Sequence, residues 1–315
     1  MKTGALCVLF VGLIGCSAEA ALSETELFSE VTAQGVPAEA FRDVQDFLKN
    51  NLDKEFVQDA YTCKGREETS VRPCSESDRT KATKVVTVKA HDYAVIVDYT
   101  RPSTEERFFV INMKTGEVEK MLGTHGQGSG NGAVAYKFSN VKDSRQTSLG
   151  MYLLGEVYSG NYGPTLRMYG LEKSNDQAYN RDIVMHGAWY ADKSFLKKTN
   201  PNTKKPYGRL GVSWGCPAVS LGNQKRLVPL LKEGALIYHY HAELQAESRL
   251  GGPVQTEFPP AEYAPIPTPR PDPQAMRESN FPSSSRAFIS EYPPMSLSSI
   301  KIMGTVIHPV FSLRA

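Results

Sequence analysis

A mainly β domain, preceded by a short helical segment and followed by a proline-rich tail, is the fold class the sequence predicts. Three observations predict it. β-Branched and aromatic runs recur between residues 84 and 241. Apolar residues at sustained helix spacing concentrate between Ser23 and Asn51. Prolines crowd the stretch from Gly251 to Pro294. A domain of short strands with turn residues between them packs as a sheet or sandwich, with few helices.

The elements follow in order. Leu27, Phe28 and Val31, then Val36, Phe41, Val44, Phe47 and Leu48, fall close to helix spacing, and Gly35-Val36-Pro37 divides them into two helices. Val85 to Val88, Tyr93 to Tyr99, Arg107 to Asn112 and Val118 to Leu122 read as strands. Pro102-Ser103 and Lys114-Thr115-Gly116 supply turns, so an antiparallel sheet with short hairpins is expected. Further strands are predicted at Gly150 to Tyr158, Leu166 to Tyr169, Ile183 to His186 and Ala235 to His241. Asn223 to Lys232 is predicted as a helix, with Leu227, Val228, Leu230 and Leu231 on its apolar face. The expected organisation is a leader over 1–20, a helical segment with a loop over 21–83, a mainly β domain over 84–250 and a largely disordered tail over 251–315. Proline-rich sequence favours extended, unpaired backbone, and the run Ile300 to Phe311 is the tail's one candidate strand or docking segment.

Length and charge bound the function. A chain of 315 residues holds one sizeable domain with extensions, or two small ones. Its 36 basic and 34 acidic residues are nearly balanced and form no dense basic stripe, which argues against nucleic acid as a partner. Met1-Lys2-Thr3 followed by the short apolar run Ala5 to Ile14 reads as a secretory leader, too short to span a bilayer. Ala18-Glu19-Ala20 offers a cleavage site. Leu13-Ile14-Gly15-Cys16 resembles a lipoprotein box, which would leave a lipid anchor on Cys16. Both routes stay open, and both take the mature chain out of the cytoplasm to the periplasm or cell envelope. In that setting Cys63 and Cys74, which flank a polar loop, are expected to form a disulfide.

Cys216 is left without a partner, in Val212-Ser213-Trp214-Gly215-Cys216-Pro217-Ala218. A cysteine after a glycine turn can present its thiol and its backbone N–H to one substrate carbonyl. A thiol ionises near pH ~8.5, so the nucleophile needs a base. His186 ends the apolar run Ile183 to His186, and Gly187 follows where the backbone must turn. The residues themselves say thiol acyl transfer or hydrolysis.

His186-Gly187 with Ser213-x-Gly215-Cys216 resembles the signature of the L,D-transpeptidases, the cysteine enzymes of bacterial peptidoglycan. Thr124-His125-Gly126-Gln127-Gly128-Ser129-Gly130-Asn131, Phe138-Ser139-Asn140, Ser148-Leu149-Gly150-Met151-Tyr152 and Gly170-Leu171-Glu172 extend the resemblance, in the same order, to a divergent branch of murein L,D-transpeptidases over residues 90–241. Two departures stand out: Trp214 replaces the usual second histidine, and Ala218 stands where an arginine is usual. The resemblance implies an L,D-transpeptidase-like β-sandwich or barrel. It also implies stem tetrapeptides as substrate, Cys216 as nucleophile and His186 as base. Ser213 is expected to support the turn or orient His186, and Gly215 to permit close approach. Gly187, Trp214, His125, Tyr152 and Arg181 are expected at the stem-peptide groove.

A hydrolase using the same thioester, and a non-catalytic peptidoglycan-binding envelope protein, are the alternatives. No cofactor is expected. His239-x-His241 places two rings on one strand face, but zinc normally takes three or four such ligands, and no metal motif accompanies the pair. Oligomeric state is not specified by the sequence.

Overall fold

The computed structural model describes residues 22–65 and 73–256. The leader with Cys16, and the tail from residue 257 with Ile300 to Phe311, lie outside the described residues. Helix α1 (Glu24–Ala33) begins in a reciprocal cap: the Glu26 backbone N–H donates to Ser23 Oγ at 3.3 Å, and the Ser23 N–H donates to the Glu26 carboxylate at 2.9 Å. Helix α2 (Ala38–Asn51) follows the Gly35 turn. Strands β1 (Glu55–Cys63) and β2 (Arg79–Thr87) pair antiparallel as a separate ribbon. The Cys63–Cys74 disulfide lies at the end where residues 64–78 join the two strands, with the two Cα atoms 6.0 Å apart. The sequence predicts a loop before Val85 and a strand only from Val85, and the expected boundary at residue 84 falls inside β2.

The chain continues through β3 (Tyr93–Asp98), β4 (Phe108–Asn112), β5 (Val118–Met121), β6 (Lys137–Phe138), β7 (Gly150–Gly160), β8 (Gly163–Gly170), β9 (Val184–Gly187) and β10 (Ala218–Val219). Then come α3 (Leu221–Leu231), β11 (Leu236–Tyr240), α4 (Gln245–Ser248) and β12 (Val254–Gln255). Eight strands form one sheet in the order β10-β9-β8-β7-β11-β3-β4-β5, and β6 pairs with β12. The sheet is mixed rather than antiparallel throughout. Strand β11 runs parallel to β3 and antiparallel to β7, and β10 runs parallel to β9. Parallel neighbours need a long return connection. Residues 188–217 supply it for β9 and β10.

Both faces of the central strands are covered, so β3 reads as an unbroken apolar run instead of an alternation. Ala94 and Ile96 pack with Val31, Phe41 and Val44 of the N-terminal helices. Val95 and Val97 face the opposite core, with Leu227, Val228 and Leu231 of α3. Each of these Val, Leu, Ile and Phe side chains, fully buried, contributes about 1.5–3 kcal/mol relative to exposure. The N-terminal helices thus share a core with the sheet, and the sheet fixes where β9 and β10 end.

Candidate active site

Cys216 and His186 come together through register. In the parallel pair β9–β10, Ala218 lies opposite His186, so Cys216 sits just before the strand that borders it. The His186 backbone N–H donates to Pro217 O at 3.3 Å. The turn before Cys216 is held from inside by Ser213. Its Oγ accepts from the Gly215 N–H at 3.2 Å and donates to Cys216 O at 2.6 Å. Ser213 therefore staples the turn, and no hydrogen bond joins it to the His186 ring. Thr147 Oγ1 braces the same turn, donating to Gly215 O at 3.2 Å and accepting from the Gly126 N–H at 2.9 Å.

Gly215 has φ of +122°, and a Cβ there would lie 2.8 Å from Gln146 O. That position needs glycine on both counts. The Cys216 backbone N–H meets no acceptor in another described residue.

The tautomer of His186 follows from its partner. Nδ1 lies 3.0 Å from Gly187 O, and a carbonyl oxygen only accepts, so Nδ1 carries the proton and Nε2 the basic lone pair. Burial pushes the imidazole below its usual range, and the Gly187 carbonyl partly opposes that, so the ring is neutral at pH 7. Tyr162 lies nearly parallel to it, 6.1 Å between ring centres and 19° between planes. The half-buried Cys216 thiol is pushed up to about 11 by desolvation, with the Val184 backbone and Arg181 pulling it down and Asp182 pushing it up. At rest the thiol donates to Asp182 O at 3.7 Å.

The family model for the L,D-transpeptidase catalytic domain matches residues 73–240, more than half of the chain. The chain belongs to the L,D-transpeptidase catalytic domain family. Among solved structures it is similar to L,D-transpeptidase 1 of Mycobacterium tuberculosis, at 13% identity over 50% of this chain and 66% of that one, with a TM-score of 0.25. It is also similar to an L,D-transpeptidase from Mycobacterium smegmatis, at 12% identity over 57% and 82%, with a TM-score of 0.28. The L,D-transpeptidase LdtMt1 in complex with imipenem matches at 12% identity over 62% and 85%, with a TM-score of 0.28. The chain thus spans just under two thirds of the first of these, and the scores are too low for any of the three to carry an argument about the site. No curated protein matches the chain.

In this L,D-transpeptidase domain the remaining predicted residues separate into two groups. Trp214 and Arg181 stand next to the Gly215-Cys216 turn. The Trp214 ring is 55% exposed, with the Arg145 guanidinium 4.8 Å above it. Arg181 donates to Ser139 O and Ser148 Oγ, both at 3.0 Å, and to Gln146 O at 2.5 Å.

The other three are enclosed by packing. His125 is 1% exposed: Arg107 Nη2 donates to its Nδ1 at 2.9 Å and its Nε2 donates to Gly130 O at 3.1 Å. Tyr152 is fully buried with its hydroxyl on Ser148. Gly187 makes room for α3, since a Cβ there would lie 2.9 Å from the Gln224 side chain. Sequence reasoning expected these three at the substrate. They are buried by the packing of the sheet and α3, which no local motif displays. It also missed Tyr162, Thr147 and Asp182. Asp182 precedes the strand-like run from Ile183, yet has φ of +54°. The paired histidines His239 and His241 are both buried, and among the described residues no three His, Cys, Asp or Glu side chains gather to hold a metal ion.

Proposed function

We propose that the chain is an exported peptidoglycan L,D-transpeptidase that transfers stem peptides through a thioester on Cys216, with His186 as base. The observation that carries this reading is the pairing of a half-buried thiol and a neutral imidazole, its Nε2 unprotonated, at one end of adjacent strands. The Cys63–Cys74 disulfide supports export, because such bonds persist in oxidising compartments.

In the proposed cycle the thiol leaves Asp182 O and gives its proton to His186 Nε2. The sulfur attacks the carbonyl of the third stem residue, and the oxyanion is met by the Cys216 N–H. The C–N bond breaks, and D-alanine leaves with the proton from His186. A second stem's amine attacks the thioester, His186 takes its proton, and Cys216 is released as the thiol. Trp214 offers an exposed face against which the stem or its sugar can stack. Arg181 supplies positive charge beside the thiolate.

The test is intact-protein mass after exposure to a carbapenem, run beside muropeptide digestion. Cys216→Ala should fold and form no adduct. His186→Ala should lose most turnover and recover part of it as pH rises and the thiol ionises unaided. A cross-linked dimer product supports transfer. A shortened monomer would replace it with hydrolysis of the same thioester. A folded Cys216→Ala protein with wild-type turnover would end the reading.

A further inference from the structure

The resting partner of the Cys216 thiol, Asp182 O, belongs to a residue in an unusual state. A non-glycine residue at φ of +54° is uncommon and is kept only where its surroundings determine it. The Asp182 carboxylate is what the surroundings hold. Tyr61 OH donates to one of its oxygens, and Arg79 Nη2 donates to the other at 2.7 Å. Both donors stand on the β1–β2 ribbon, outside the main sheet. Arg79 lies 4.0 Å over the Tyr61 ring and donates twice to Cys74 O, from Nε at 3.0 Å and Nη2 at 2.9 Å. Cys74 is one end of the disulfide. A continuous path of contacts therefore runs from the disulfide through Cys74 O, Arg79 and the Asp182 carboxylate to Asp182 O and the Cys216 sulfur.

We infer that Tyr61 and Arg79 are positioning residues for Cys216, acting through Asp182: they fix its carbonyl under the sulfur and neutralise a carboxylate that would otherwise oppose the thiolate. The inference rests on the reading of Cys216 as the nucleophile. Every other residue of the cycle lies on the sheet or its loops, whereas these two lie on the ribbon. The charged and titratable groups that act on the thiol are Arg181 and Asp182 before β9, Tyr190 after it, Tyr99 after β3 and Tyr152 on β7, and His186 lies on the bordering strand. Only Asp182 among them is held by the ribbon.

The experiment is the pH dependence of Cys216 alkylation by iodoacetamide, from pH 7 to 9, in the full chain, with the modified peptide counted by mass. It needs no peptidoglycan substrate. Arg79→Gln leaves the Asp182 carboxylate without its cation and should slow alkylation several-fold at fixed pH. Asp182→Asn removes the negative charge and should speed it; asparagine tolerates the same backbone angle, so the turn is kept. Arg79→Lys, which restores the charge, should return most of the wild-type rate. Should Arg79→Gln not fold, Tyr61→Phe strips the other donor from the carboxylate and is read in the same direction. A merely structural ribbon would move these variants together. Parallel shifts, or no shift in any variant, overturn the inference. Opposed shifts in a chain that never processes muropeptides would remove the acyl-transfer reading and leave the coupling standing. Parallel shifts in a chain that does process them would do the reverse.

Discussion

Replacing Gly215 with alanine tests whether the turn before Cys216 is built as described. The new Cβ would sit 2.8 Å from Gln146 O, 3.2 Å from Ile183 Cδ1 and 3.3 Å from Arg181 Nη2. The first contact is with backbone, and Gln146 O is itself the acceptor of Arg181 at 2.5 Å, so it cannot retreat without breaking that bond. The backbone at φ of +122° adds about 1–3 kcal/mol for any residue with a Cβ. Shifting the turn also loosens the bond from Thr147 Oγ1 to Gly215 O, about 1 kcal/mol. A total on the order of 3 kcal/mol lowers Tm by roughly 6–12 °C in a domain of this size. Gly222 is the matched control. It lies in α3, a Cβ there meets nothing within 4 Å, and alanine should stabilise the helix by about 0.5–1 kcal/mol. The assay is thermal unfolding of both variants, with Cys216 acylation measured well below either Tm. Gly215→Ala should lose acylation even where it is fully folded. An unchanged Tm for Gly215→Ala, or an equal fall for Gly222→Ala, would refute the steric reasoning.

Two other outcomes follow. Cys63→Ser with Cys74→Ser opens a loop whose ends are 11 positions apart, which the chain-entropy model values at about 3 kcal/mol; calorimetry should show a Tm lowered by roughly 6–12 °C, and equal melting of both forms would contradict it. Burial lowers His239 to about 4, so between pH 6.5 and 4 the unfolded chain binds a proton that the folded chain excludes; stability present above pH 6.5 should be lost as pH falls, by about 3 kcal/mol at pH 4, and denaturant midpoints should show His239→Gln flattening that slope.

Much of this was legible in local sequence, and the rest depends on distant partners. The helix periodicity around Phe41 and Val44 survived because those residues face one core. The run Tyr93 to Tyr99 read as a strand because both its faces are buried. Strand β1 was missed: in Glu55–Cys63, Glu55, Val57 and Asp59 point to solvent, and polar Gln58 is one of the buried residues. The placement of β11 between β3 and β7 cannot be read from β11 itself, whose composition suits either orientation. Residues 189–211 carry no period at all. They are held by ring contacts within the segment, Trp189 with Phe195 and Phe195 with Tyr207, at spacings that match neither helix nor strand. At the site, Cys216, His186 and Gly215 were visible as chemistry plus a required turn. His125 and Tyr152 carry equally suggestive residue types, but only packing reveals that both are enclosed.

The two departures from the usual signature fit one physical account. An arginine two residues past the cysteine has no room here. Ala218 is fully buried against Ala188, Tyr190 and Phe195, and its backbone is locked to Thr124 in both directions: Ala218 N–H donates to Thr124 Oγ1 at 3.2 Å, and Thr124 N–H donates to Ala218 O at 2.9 Å. A guanidinium at that position would be desolvated among rings, a cost of several kcal/mol without an ion partner. Positive charge acts on the thiol instead from Arg181. Its donors rest on Ser139 O, Gln146 O and Ser148 Oγ, neutral acceptors that hold the side chain without cancelling its charge. Those bonds engage both Nη1 and Nη2, so a substrate carboxylate would have to displace one of them to pair with Arg181. Trp214 completes the exchange. With Cys216 turned inward and Ser213 stapling the backbone, residue 214 is the one member of the turn that faces out, where a flat ring capped by Arg145 provides contact area that a histidine would not.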